Sequence, residues 1–127
     1  MSSPDFQHLR LSMVKDVAVV EIRTRDLQGP MLAQELSTEL ALVTAQEWAR
    51  RLLVDFRRVT YLSSTGFAAL FKLVSRVKAE DREVKLCGME AGVRLGAEIV
   101  GLEKLVEIHE DEASAMRTFA RGRALPS

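Results

Sequence analysis

The sequence predicts an α/β fold: a mixed, mainly parallel sheet of about five strands with four helices, in the order β-β-α-β-α-β-α-β-α. Three observations point there. Short runs rich in β-branched residues alternate with longer segments whose apolar residues recur every three or four positions. The first two strand-like runs are separated by only three residues, Val14-Lys15-Asp16, the mark of an antiparallel hairpin. Glycines and small polar residues then punctuate each join, at Gly29, Ser63–Gly66, Gly88 and Gly101. Right-handed crossovers make the later strands parallel.

In chain order, His8–Met13 alternates polar and apolar, a strand with one wet face. Val17–Ile22 is a continuous apolar run broken only by Glu21 and reads as a more buried strand. Thr24–Pro30 is a polar break, with Pro30 placed to start a helix, where its missing N–H costs nothing. Leu32, Leu36, Leu40 and Val43 then form a helical stripe within Met31–Arg50, and Met31 and Trp48 are expected in the core. A strand follows at Leu52–Phe56. After Ser63–Gly66, Phe67, Leu70, Phe71, Val74 and Val77 mark a second helix, and the charge run Lys78–Glu83 reads as its solvated end. Val84–Cys87 is a strand closed by Gly88, with Cys87 a small buried hydrophobe. A third helix covers 91–100, stopped by Gly101 as a left-handed cap. Leu105–His109 is the last strand, and Asp111 and Glu112 open a final helix through Ala115, Met116 and Phe119, acidic residues suiting its positive end. The expected domain spans residues 5–121, with a loose tail over 122–127.

Composition narrows the function. The chain has 127 residues, 47% hydrophobic and 28% charged, with 18 basic residues balancing 18 acidic ones. A net charge of zero removes the broad attraction of a nucleic-acid or anionic-membrane binder, so neither is expected as a partner. One cysteine, Cys87, and two distant histidines, His8 and His109, make no zinc cluster, and no metal or cofactor is expected. No apolar run approaches the roughly 18 residues of a membrane span, and no secretory pattern opens the chain. A cytoplasmic protein is the expectation.

Ligands of such sheets bind at the carboxyl ends of the parallel strands. The segments there are Arg23–Gly29, Ser63–Gly66 and Gly88–Gly92. The middle one sets three hydroxyls, Ser63, Ser64 and Thr65, at the mouth of a helix whose first N–H groups lack partners. That arrangement suits a phosphate carried on one of the hydroxyls. On physical grounds alone it suits a plain N-cap better, since a cap requires nothing further. Arg57 and Arg58 are either a solvated strand end or a phosphate clamp, and His109 is a surface or capping residue.

Two stretches carry a resemblance. One is Leu53-Val54-Asp55-Phe56 followed by Val59-Thr60-Tyr61-Leu62-Ser63-Ser64-Thr65-Gly66; the other runs from Val93 to Gly101-Leu102-Glu103-Lys104-Leu105, with Ile108, Asp111, Glu112 and Ala115 after it. Together they resemble the STAS family, the domain of bacterial anti-sigma factor antagonists. The resemblance implies a binding module, not an enzyme. Its partner would be an anti-sigma factor that is also a serine/threonine kinase, and a phosphatase would reverse the modification. By position the phosphoacceptor falls on Thr65, with Ser64 before it and Ser63 where the family carries Asp. The partner-facing residues expected are Ser63, Ser64, Thr65 and Gly66 of the turn, with Arg23, Arg25, Asp26 and Phe67. A scaffold that binds through the same edge without phosphate is the alternative. A serine hydrolase would need Gly-x-Ser-x-Gly, which the turn lacks, and no glycine-rich phosphate loop supports nucleotide binding.

Overall fold

A computed structural model describes residues 6–123, and side chains as far as Phe119. The apolar run Val17–Ile22 is an interior strand of the sheet, buried throughout. β1 (Leu9–Val14) and β2 (Val17–Ile22) form the expected antiparallel hairpin, closed by Lys15 and Asp16, with Lys15 at φ 57°. β3 (Asp26–Leu27) precedes α1 (Pro30–Thr44), and β4 (Arg51–Asp55) leads through β5 (Tyr61–Leu62) into α2 (Ser64–Ala79). β6 (Glu83–Cys87), α3 (Ala91–Ile99), a 3₁₀ turn (Leu102–Lys104), β7 (Glu107–His109) and α4 (Glu112–Arg123) complete the chain. The main sheet has the order β1-β2-β4-β6-β7, parallel except for the β1–β2 pair. β3 and β5 form a separate two-stranded parallel ladder.

Strand alternation divides the core in two. Ala18, Val20, Ile22, Leu52, Val54 and Leu86 meet α1, α2 and α3 on one face. Val17, Val19, Leu53 and Cys87 meet Ala115 and Phe119 of α4 on the other. Burial on both faces explains why Val17–Val20 of β2 and Leu52–Val54 of β4 read as unbroken apolar runs. Lys85 also points to the α4 side, its Nζ 2.9 Å from Glu107 and 5.3 Å from the centre of the Phe119 ring.

Five details differ from the sequence reading. α1 stops at Thr44, six residues before Arg50, and the turn that follows it is held by a side chain distant in sequence. Arg82 Nη1 donates to the carbonyls of Thr44, Gln46 and Ala49 at 2.7, 2.9 and 3.2 Å. Arg82 is therefore a clamp and not part of a solvated helix end; a cation at a helix C-terminus also suits the dipole. Met31 is 74% exposed, since it lies off the Leu36–Leu40–Val43 stripe, whereas Trp48 packs against the core from the turn beyond α1. The last strand begins at Glu107, because the 3₁₀ turn consumes residues up to Lys104 and leaves Leu105 40% exposed. α4 continues through Gly122 to Arg123, and residues 124–127 of the expected tail lie outside the described residues.

The expected cap of Gly101 is present, at φ 80°. Asp111 caps α4 by accepting from Ser114 N–H at 2.8 Å, and that bond holds its carboxyl below the usual range. Arg82→Met is expected to destabilise the fold by about 2 kcal/mol, the scale of lost hydrogen bonds from a charged donor. Urea unfolding at unchanged m-value measures it.

Candidate functional site

The Arg23–Gly29 loop and the Ser63–Gly66 turn arise from different crossovers, and backbone pairing joins them. Thr60 and Tyr61 N–H both donate to the Arg25 carbonyl, at 2.8 and 3.2 Å, and the Thr60 hydroxyl donates there at 3.1 Å. Ser63 N–H donates to the Leu27 carbonyl at 2.9 Å. Leu27 and Leu62 pair side by side and are buried, so the ladder is anchored from below. The sequence reading took 24–30 as a break and missed both strands. Two residues each carry no periodicity to read.

Ser63 is the N-cap of α2: its Oγ accepts from Gly66 N–H at 3.4 Å, and its carbonyl accepts from Phe67 N–H at 2.9 Å. Its Oγ also lies 2.9 Å from Thr65 Oγ1. Ser63 is half-buried, whereas Ser64 and Thr65 are exposed. Gly66 is required by close approach, because a Cβ there would stand 2.4 Å from Leu62 Cδ1. Arg23, Arg25 and Asp26 are exposed beside the turn, and Gln28 Nε2 donates to Asp26 at 2.9 Å. Thr65 and Lys72 face Pro30, Gln34 and Ser37 of α1 across an open groove of about 220 Å³.

Phe67 is not on this surface. It is 6% exposed and belongs to the core, where α3 lies so close that a Cβ on Gly96 would stand 3.0 Å from its ring. The helical phase that points Thr65 outward turns Phe67 inward. What sequence reasoning missed is the apolar surface beyond it. Tyr61 is 50% exposed, Leu95 57% and Ile99 76%. Residues 91, 95 and 99 recur every fourth position while Val93 and Ala97 fill the buried side, so α3 is apolar on both faces. That double stripe was the available signal.

Arg57 is matched by carboxylates. Its Nε lies 3.1 Å from Asp55 and 3.1 Å from Glu21, and Arg58 Nε lies 3.6 Å from Glu21. Asp55 first and Glu21 second raise the Arg57 pKa. Both arginines line a cleft of about 440 Å³ with Arg10, Glu21 and Glu112, on the α4 side of the sheet and away from the α1–α2 groove. His8 lies between Thr24 and Glu35, and His109 lies 2.9 Å from Glu107. Neither imidazole is hydrogen-bonded to a hydroxyl of the turn. Among the described residues no group of three His, Cys, Asp or Glu could hold a metal, and no helix is long and apolar enough to cross a membrane.

The family model for the STAS domain matches residues 20–115. The chain belongs to the STAS domain family. Solved STAS-like structures superpose over nearly its whole length. An anti-sigma factor antagonist from Mycobacterium paratuberculosis is 19% identical with a TM-score of 0.78, covering 93% of this chain and 97% of that one. An anti-sigma-factor antagonist STAS domain protein from Planctomyces limnophilus is 18% identical at TM-score 0.70, covering 88% and 97%. The phosphorylated form of the Bacillus cell fate determinant SpoIIAA is 14% identical at 0.64, covering 87% and 98%. The likeness fixes the fold of this STAS domain.

Two measurements check the site. Ser63→Ala is expected to cost about 1 kcal/mol of stability through loss of the cap, read by urea unfolding. Cys87, fully buried, has its thiol pushed up to about 12, chiefly by burial and then by Asp55. It should therefore resist a thiol reagent at neutral pH in the native protein and react promptly once the chain is unfolded.

Proposed function

We propose that this STAS domain is a regulatory binding module of the anti-sigma factor antagonist kind, and that phosphorylation of Thr65 releases its partner. The observation that carries the reading is the exposed Thr65 hydroxyl in the first turn of α2, 2.9 Å from the capping Ser63 Oγ. The partner is an anti-sigma factor that is also a serine/threonine kinase. The γ-phosphoryl of its ATP moves to Thr65 Oγ1, the bond to the β-phosphate breaks, ADP leaves and the hydroxyl proton passes to a base on the kinase. A phosphatase restores the hydroxyl by hydrolysis. Ser64, equally exposed, is the second acceptor.

A phosphate at the start of α2 meets free N–H groups and the positive end of the helix dipole, so the modified domain stays folded. The same phosphate adds close to two negative charges to a face that must lose water on docking, so association weakens. The docking face combines the turn with Arg23, Arg25 and Asp26 on one side and Tyr61, Leu95 and Ile99 on the other. Ser63 in the place of the family's Asp makes the unmodified turn neutral, so the charge step on phosphorylation is undiluted.

The test isolates the partner from native lysate with the full chain as bait, then measures its affinity for wild type, Thr65→Glu and Thr65→Val. Recovery of an ATPase-type kinase, a phosphate adduct at Thr65 by intact mass, and binding at least about tenfold weaker for Thr65→Glu are expected. Equal binding by all three with no adduct under growth or stress rejects the switch and leaves a scaffold.

A further inference from the structure

We propose that Lys72 is the internal partner of a phosphate on Thr65, so that modification fills the groove between α1 and α2 and withdraws its cation from the docking face. The inference rests on Thr65 as the acceptor and adds where its phosphate goes. α1 joins β2 to β4 and α2 joins β4 to β6, and these three strands are parallel, so the two helices run in the same direction. Pro30 and Thr65 line the groove of about 220 Å³ between them, and so do Ser37 and Lys72, each seven residues further on. Thr65 therefore stands at one end of the groove and Lys72 at the other, about 10 Å along the helix axis.

Charge singles out Lys72. Among the described residues it is the only charged one that lines the groove, and it is exposed and forms no ion pair there. α2 carries no Asp or Glu that could neutralise it. The two carboxylates of α1 are engaged elsewhere. Glu35 lies 2.9 Å from His8 Nε2, and Glu39 accepts from the N–H groups of Gln7 and His8 at 2.8 and 2.9 Å. An otherwise neutral groove thus holds one unmatched cation, and its far end is the exposed Thr65.

Helix geometry brings the two ends together. A long side chain on a helix leans toward the N-terminus, over the preceding turn. Lys72 leans in this way up the groove toward Thr65, and on α2 only the methyl groups of Ala68 and Ala69 line the stretch between them. Its four-carbon stem covers about half the distance, and a phosphoryl group carried on Thr65 covers the rest. The ammonium and phosphate then form a charge-assisted hydrogen bond. Across the groove, Gln34 Nε2 donates to Thr38 at 3.3 Å and keeps a second hydrogen for a phosphate oxygen. Ser64, equally exposed, does not line the groove and has no such partner. The unmodified domain offers a docking protein an open groove with a cation in it; the modified domain offers neither.

Phosphothreonine installed at residue 65 during synthesis of the full chain, with no kinase or partner present, isolates the contact. Phosphorus NMR against pH then follows the second ionisation of the phosphate. Lys72 favours the dianion, so Lys72→Met is expected to raise that ionisation by about 0.3–0.7 pH unit, and Lys72→Arg to leave it near wild type. Arg76→Met removes a cation of the same helix that does not line the groove, and should leave it in place. Phosphoserine installed at residue 64 should titrate alike with Lys72 or Met at position 72. Circular dichroism checks that each variant is folded. An ionisation that Lys72→Met does not move overturns the proposal, as does one that Arg76→Met shifts equally. Because no kinase takes part, failure of the switch itself would show instead in the partner binding of Thr65→Glu and Thr65→Val.

Discussion

The pairing of β3 with β5 is the constraint on which the candidate site depends. Two loops that leave the sheet from different strands would otherwise sample their own conformations, at an entropic cost for each ordered residue. The Leu27 carbonyl accepting from Ser63 N–H at 2.9 Å ties the end of one loop to the cap residue of α2. Buried Leu27 and Leu62 hold that ladder to the core, and Gly66 allows the helix to start directly above Leu62. The hydroxyls of the turn are thereby carried on a rigid corner, while Ser64 and Thr65 remain in solvent.

Charge is distributed to the same effect. Arg57 is matched by Asp55 and Glu21, Arg51 by Asp16 and Glu83, and Lys85 by Glu107. The carboxyl of Glu107 is held low, first by its hydrogen bond from Lys85 and then by His109. These pairs fasten the sheet's ends and the α4 side. Arg23 and Arg25, beside the turn, are exposed and form no ion pair among the described residues. The two arginines near the turn thus differ from Arg57 and Arg58 of the cleft, which are already matched by carboxylates.

The sequence made the large elements legible because each buries a continuous or periodic face: β2 through Val17–Val20, β4 through Leu52–Val54, α2 through Leu70, Val74 and Val77, and α3 up to Gly101. The turn was legible because Ser, Thr and Gly at a strand-to-helix join have few other uses. What escaped depends on contacts distant in sequence. Nothing near Thr44 announces that Arg82, 38 residues on, will hold the turn after its helix. The β3–β5 ladder is set by where two crossovers return. Phe67 is next to the turn along the chain but not on its surface, because two residues apart on a helix means nearly opposite faces.

Cys87 sits in the interior of β6 with its side chain wholly enclosed against Val17, Leu53 and Phe119. Because it is the sole cysteine of the chain and its thiol stays protonated, the native protein is a silent background for site-directed labelling. A cysteine introduced at Tyr61, Ser64 or Ile99 would take up a fluorophore or spin label by itself, so the motions of the corner can be followed without first removing a native residue.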